Sequence, residues 1–458
     1  MTAVKPAGHI NPIIVLLGIL LLAMVMTHLV DSGSYERNGK LVIPGTYETI
    51  EKDRSLSAST QVSTTAARPL NLVDTLMTIP AGLERMSGLI FMVMLIGGMF
   101  GILTRSGAID AGLERLLHSM QGNVYLLVPL LMTVFAAGST FLGLASEYLL
   151  VIPLMVAMMQ RLGLSAILGL AIVTIAVKAG YLASVTNPIP LTIAQPLVGL
   201  PIFSGAGLRF AFFLVFLTVG IGFTLLMIRR EGFKARLVSD FDGRALSMRH
   251  RLVIGLLVIG VAGLVYGSNQ WQWHYRELSA YYIGLSCLLA AAAGLGASAA
   301  ADAFVDGMKK VLMASMLIGV ASAVAITLEQ GQILDTIVHG LTALIGEHGA
   351  YVSVIGMFIS QLLLDFLIPS TSGQAAVSMP ILGPLGQLTG VPPQSTVLAF
   401  LFGNGITNML TPTSGTLLAY LATAQVGWVE WARFIFRLWL VYIGIAALLL
   451  CFAVSLGS

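Results

Sequence analysis

The stretch Ser184-Val185-Thr186-Asn187-Pro188-Ile189-Pro190 interrupts a largely apolar run from Ala166 to Leu200. Another stretch, Thr411-Pro412-Thr413-Ser414-Gly415, interrupts a second run from Thr396 to Gln425. Proline lacks a backbone donor and disfavours helix at the residue before it, so Asn187-Pro188 and Thr411-Pro412 should unwind the helices that carry them. Backbone groups released in this way find no partner in hydrocarbon and must be buried in protein or face water. Two broken helices are therefore expected, each lining something.

The surrounding composition fits such helices. Of 458 residues, 57% are apolar and only 10% charged, against about 25% charged in a soluble domain. Several uncharged stretches are long enough to cross roughly 30 Å of hydrocarbon at about 1.5 Å per residue, and barrel-type alternation is absent, so the chain reads as an all-α polytopic membrane protein. A water-soluble enzyme is excluded. The formal charge of +3 is too small and dispersed for nucleic-acid binding. Cys287 and Cys451 lie in apolar runs and read as packing residues, with neither a disulfide framework nor a metal implied. Walker, nucleophile-elbow, HExxH and CxxC patterns are missing, which leaves an ion gradient or exchange as the energy source.

Nine crossings are expected: Pro12 to Val30, Gly88 to Leu103, Ala166 to Leu200, Phe210 to Ile228, Leu252 to Tyr266, Tyr281 to Leu295, Val311 to Leu328, Thr396 to Gln425 and Phe434 to Val454. Two further stretches, Val124 to Gln160 and Tyr351 to Leu388, read as re-entrant hairpins, with two full spans each as the alternative. Basic residues between Arg229 and Arg251 make that loop cytoplasmic, with the amino terminus inside and the carboxy terminus outside a bacterial-type inner membrane. Trp271, Trp273, Tyr275, Tyr281 and Tyr282 would form an outer aromatic belt, and Trp428 and Trp431 an inner one.

The breaks also repeat. Ser184 corresponds to Thr411 and Thr186 to Thr413, 227 residues apart, as do Pro153 and Pro380, and Gly163 and Gly390. Met94 to Gly97 matches Met316 to Gly319 at a spacing of 222, and Arg209-Phe210 matches Arg433-Phe434 at 224. Five crossings separate the two starts, so the second copy is upside down. An inverted-topology repeat places a substrate site near the midplane where the copies meet. Residues 1–86 hold the first helix and an outer loop. Residues 87–230 form the first copy, with hairpin 124–160 and broken helix 166–200. Residues 231–306 link it to the second, 307–458, with hairpin 351–388 and broken helix 396–425.

The hairpin tips fall at Gly138 to Glu147 and at Pro369-Ser370-Thr371-Ser372-Gly373-Gln374. Hydroxyl and amide groups at tips and breaks are the expected substrate ligands: Ser184, Thr186, Asn187, Ser370, Thr371, Ser372, Asn408, Thr411, Thr413 and Ser414. Helix amino termini there favour a carboxylate, while freed carbonyls and side-chain oxygens near Ser146, Asn187, Ser372 and Thr413 suit a sodium ion. No cofactor is expected beyond sodium or a proton as coupling ion. Charge at membrane depth costs about 2.5–3.5 kcal/mol on insertion scales, which singles out Lys178, Glu147 and Asp365 as charge-coupling residues. Lys178 either attracts an anion, replaces a coupling cation, or pairs with Glu147 or Asp365. Arg209, near a boundary, reads as snorkelling. Gln195, Gln374 and Gln425 are weaker candidates. His118, His339 and His348 sit on short interfacial helices.

Glu147, Pro153, Gly163, Asn187-Pro188, Ala194-Gln195, Ser204-Gly205, Arg209, Gly331 to Thr336, Pro369 to Gly373 and Thr411 to Gly415 together resemble the YfcC-like branch of the C4-dicarboxylate anaerobic carrier family. So do Gly33 to Arg37 and Val42 to Tyr47. That family is similar to the ion transporter superfamily, which implies a homodimer, a scaffold and a mobile transport region, and an elevator mechanism. The resemblance also implies a neutral residue where Lys178 stands, a departure that bears on sodium coupling at the first site. The expected function is secondary active transport of small organic anions, dicarboxylates or other carboxylate-bearing metabolites. The alternative is exchange of basic amino acids or short peptides.

Overall fold

A computed structural model describes residues 12–39, 41–52, 67–119, 123–232, 246–271, 273–343, 345 and 349–457. The first eleven residues, much of the basic loop after Arg230, and His348 lie outside the described residues. Helix α1 (Pro12–Leu29) runs into a small element, the expected outer one, in which β1 (Ser32–Ser34) pairs with β4 (Glu48–Ile50) and β2 (Arg37–Asn38) with β3 (Leu41–Val42), both antiparallel. Helix α2 (Leu72–Arg85) starts in a capping box, with Asn71 accepting from the Asp74 amide. There follow α3 (Ser87–Ser106), α4 (Ala108–Ser119), α5 (Val124–Leu142), a 3-10 turn at Ser146–Leu150, α6 (Ile152–Arg161), α7 (Ala166–Ala183), α8 (Pro188–Leu197) and α9 (Ala206–Arg230). Helices α10 (Met248–Gln270) and α11 (Tyr275–Ala293) lead to α12 (Ala297–Gln330), α13 (Leu334–Ala343), α14 (Ala350–Leu367), α15 (Thr371–Thr389), α16 (Pro393–Thr407), α17 (Gly415–Ala424) and α18 (Trp428–Ser455).

Both breaks fall where proline places them. Helix α7 stops at Ala183 and α8 resumes at Pro188, while α16 stops at Thr407 and α17 resumes at Gly415. Seven helical stretches among the described residues are long and apolar enough to cross a membrane: Ser87–Ser106, Val124–Leu142, Ala166–Leu197, Ala206–Arg230, Ala297–Gln330, Ala350–Leu367 and Trp428–Ser455. Two of these, Val124–Leu142 and Ala350–Leu367, are the first arms of the expected hairpins. Helix persists through Ser139 and Thr140 to Leu142 before Gly143 takes a left-handed conformation, inside the stretch Gly138 to Glu147, and α14 ends at Leu367 just before Pro369. The second arms differ: α6 has 10 residues, α15 has 19.

Glycines set the closest helix contacts. A Cβ on Gly101 of α3 would meet the Ala303 carbonyl oxygen of α12, one on Gly307 that of Gly97, and one on Gly82 of α2 that of Gly319. Helices α2, α3 and α12 are thus joined backbone to backbone, the approach that small residues permit. A second set behaves alike: Gly180 of α7 faces the Ala136 carbonyl of α5, and Gly403 of α16 faces the backbone of Gln361 in α14.

The outer element docks on α13. Ser32 Oγ donates to the Gly331 carbonyl at 2.9 Å, Arg37 Nη2 donates to both oxygens of Asp335 at 2.6 and 2.7 Å, and the Tyr35 amide donates to Asp335 at 3.1 Å. Tyr47 stacks on His339 with ring centroids 4.0 Å apart. Burial and the Asp335 carboxylate push the Tyr35 phenol up to about 12.

Three expectations are corrected here. Trp271, Trp273 and Tyr281 do form one aromatic run, but Tyr282 is fully buried and belongs to the core. Trp431 is also fully buried and Trp428 is tied to backbone, so neither acts as a simple interfacial anchor. Cys287 is exposed rather than packed.

Candidate substrate cavity

At the first break, Asn187 Oδ1 accepts the Ile189 amide at 3.0 Å and caps α8, whose first residue, Pro188, has no amide to satisfy. Ser184 closes α7 in a left-handed conformation. The carbonyls of Ser184 and Val185 accept Arg209 Nε and Nη2 at 3.2 and 3.0 Å, and Arg209 Nη1 donates to Ser204 O at 2.6 Å and Gln394 Oε1 at 3.2 Å. Arg209 is 1% exposed. It does not snorkel; its guanidinium satisfies the carbonyls that the break releases.

Tryptophans do the same at the second break. Trp431 Nε1 donates to Met409 O and Trp428 Nε1 to Leu410 O, each at 2.9 Å. Ser414 Oγ accepts the Leu417 amide and caps α17. Thr411 and Thr413 hydroxyls lie 2.7 Å apart, and Thr413 Oγ1 donates to the Phe366 carbonyl at 2.9 Å. Four carbonyls at the breaks, those of Ser184, Val185, Met409 and Leu410, therefore already have protein donors.

Between the breaks runs a buried polar network. Lys178 Nζ donates to Asn408 Oδ1 at 2.6 Å. Asn408 Nδ2 donates to Pro369 O at 2.8 Å and to Asp365 Oδ1 at 3.4 Å, and Asn404 Nδ2 donates to the same Asp365 oxygen at 2.7 Å. Asn404 Oδ1 accepts the Tyr181 hydroxyl at 2.5 Å and Thr371 Oγ1 at 3.3 Å. Behind it Gln374 Oε1 accepts from Asn404 at 2.8 Å, and Gln374 Nε2 donates to Gln361 Oε1 at 2.9 Å. Asp365 is fully buried, and its Oδ2 has no hydrogen-bond partner. Glu147 stays out of this network: its Oε2 accepts the Ala145 amide at 2.9 Å and braces its own tip.

These elements enclose a cavity of about 890 Å³. Of the expected ligands, Asn187, Ser370, Thr371, Ser372, Asn408 and Thr413 line it, together with Lys178 and Ser146. Ser184, Thr186, Thr411, Ser414, Glu147 and Asp365 do not; they cap, brace or back the residues that do. The leading residues of α8, α15 and α17 all reach the wall, so three helix amino termini, which carry partial positive charge, meet there with an ammonium. Toward the outer element the wall includes Arg37 with Asp335 and Arg85 with Glu329, each arginine held by its carboxylate. Tyr181 and Asn404 were missed as site residues. Tyr181 was detectable, since it sits three residues from Lys178 on the same face of α7.

The whole chain can be compared with known proteins on this footing. The family model for DcuC, the C4-dicarboxylate anaerobic carrier, matches residues 11–455. The chain belongs to the C4-dicarboxylate anaerobic carrier family. This carrier is 29% identical over 370 residues to the Escherichia coli K12 protein named "Putative basic amino acid antiporter YfcC", covering 76% of this chain and 73% of that one. It is 25% identical over 435 residues to a protein of Haemophilus influenzae, covering 91% and 82%. Among solved structures, the Alcanivorax borkumensis YdaH transporter aligns over 98% of this carrier and 99% of its own chain, at 16% identity and a TM-score of 0.45. The family makes this carrier a multi-pass membrane transporter of small molecules.

Proposed function

We propose that this carrier is a secondary active transporter of small organic anions, with a substrate carboxylate held by Lys178 and by the amino termini of α8, α15 and α17. The observation that carries this reading is the partner of Lys178. Its ammonium faces the cavity and its hydrogen bond goes to a neutral amide, Asn408, rather than directly to a carboxylate. Transporters built from broken helices place positive half-helix ends at anionic substrate groups in the same way.

The same reading takes residues 87–230 and 307–458 as inverted halves, with α5 and α6, and α14 and α15, as re-entrant hairpins. The backbone-keyed set α2, α3 and α12 is the scaffold, and the set α5, α7, α14 and α16 moves against it in an elevator-type displacement. A homodimer in a bacterial-type inner membrane, amino terminus inside and carboxy terminus outside, completes the proposal. Basic amino-acid exchange, the activity in the name of YfcC, fits the wall less well. The carboxylates that line it, Glu329 and Asp335, are already paired with Arg85 and Arg37, while Glu147 and Asp365, the other candidate counter-charges, are not among the lining residues.

Proteoliposome uptake decides between the two. Labelled succinate, glutamate and a glutamyl dipeptide should compete with one another, and Lys178→Met should lower their uptake at least tenfold while the protein still purifies as a folded species. Uptake of labelled arginine without any of these acids, or full carboxylate uptake by Lys178→Met, would overturn the assignment.

A further inference from the structure

Substrate binding as described leaves one buried ionisable group without a task. Asp365 Oδ1 takes two amide donors, from Asn404 and Asn408, whereas Oδ2 is buried with no partner at all. A carboxylate so placed carries a large desolvation penalty unless an opposite charge offsets it. Lys178 is the charge that acts on it, and a single side chain links them: Asn408 receives the ammonium on Oδ1 and points Nδ2 at the carboxylate. Among the described residues, the other titratable group facing Asp365 is the Tyr181 hydroxyl, already bonded to Asn404. Helix α16 and its cap present it with two amides, Asn404 and Asn408, and Gln374 of α15 backs Asn404 rather than the carboxylate.

Lys178 also lines the cavity, whereas Asp365 lies behind it. One ammonium thus stands between two anion positions, one permanent and one filled by substrate. We propose that the two compete for it, so that a carboxylate bound at Lys178 drives Asp365 to take up one proton, and carboxylate and proton cross together. The inference rests on the carboxylate reading above. An aqueous proton on the side to which the cavity opens forms an O–H bond at Oδ2, and no bond in the protein breaks. Charge balances at Lys178: the one carboxylate bound there brings one negative charge and the proton one positive, so succinate, with its second carboxylate also ionised, crosses with one proton as a net monoanion. Release reverses both steps, since Lys178 returns to Asp365 and the acid ionises.

The test is infrared difference spectroscopy of the purified full-length protein, following the carbonyl band of a protonated carboxyl group, with succinate as the probe. Ligand-free wild type at mildly alkaline pH should lack the band, and succinate should elicit it together with uptake of one proton. Asp365→Asn should abolish both signals. Lys178→Met should show the band without any ligand, since the balancing charge is gone, while Lys178→Arg should not. Succinate binding that elicits no band, or a Lys178→Met protein that lacks it, overturns the proposal. A band in Lys178→Met with no succinate binding by wild type in a thermal-shift assay would instead reject the carboxylate reading and uphold the link between the two residues.

Discussion

Lys178 Nζ lies 2.6 Å from Asn408 Oδ1, a bond between residues 230 positions apart that fastens the first broken helix to the second. Asn408 has no other way to satisfy Oδ1 than Lys178 and Ser414, and its amide group is committed to Pro369 and Asp365. The contact therefore couples the cavity wall, the second hairpin tip and the buried carboxylate.

A double-mutant cycle with Lys178→Met and Asn408→Ala measures that coupling. Hydrogen bonds to charged groups contribute about 1.5–3 kcal/mol, and residues in one network are non-additive. Thermal unfolding in detergent should give a coupling energy in that range; additive single mutants would show that the bond contributes nothing.

Arg209→Met and Trp431→Phe strip donors from the break carbonyls. Trp431→Phe removes one bond, to Met409, and should cost about 1–2 kcal/mol, in keeping with hydrogen bonds inside membrane proteins. Arg209→Met leaves the Ser184 and Val185 carbonyls both without a donor and should cost more than Trp431→Phe. Unfolding midpoints of the two variants side by side give the order.

Gly143→Ala tests the first tip. The residue has φ +75, where a side chain is strained, and a Cβ there would sit 2.7 Å from Asn187 Oδ1. The expected outcome is a loss of at least about 1 kcal/mol in stability and a sharp fall in substrate affinity, because the cap of α8 has to shift. Wild-type binding by thermal shift would show that Asn187 tolerates displacement.

Tyr35 supplies a pH test outside the membrane. Its folded value near 12 exceeds the ordinary value of about 10, so the folded state holds the proton more tightly. The stability it adds is complete below about pH 10 and is lost as pH rises through its folded value. Ultraviolet titration of wild type against Tyr35→Phe should reveal a phenol that ionises near 12, and Asp335→Asn should bring it down.

Legibility in the sequence followed locality. Asn187-Pro188 and Thr411-Pro412 announced the breaks because proline acts on its own neighbours, and Lys178 stood out because charge is rare in apolar runs. Arg209 and Trp431 were misread because the carbonyls they serve lie 25 and 22 residues away, across a turn whose path no local pattern encodes. Asp365 gave its charge but not its surroundings, since Asn404 and Asn408 reach it only through the relative rotation of α14 and α16. The Arg37 and Asp335 pair spans 298 residues and is set by how the outer element folds back onto α13.

The glycine contacts carry a mechanical consequence. Interlocked backbones at Gly101 and Gly307 behave as teeth: α3 cannot glide along α12 without first lifting away from it. Helix α17 meets α3 differently, since a Cβ on Gly415 would touch the Met86 methyl at 3.0 Å and, more loosely, the side chains of Ile318 and Leu89. Flexible side chains lubricate where carbonyls jam. On the elevator-type displacement proposed above, the slip plane would run along α17 rather than between α3 and α12, and bulk added at Met86 would act as a brake.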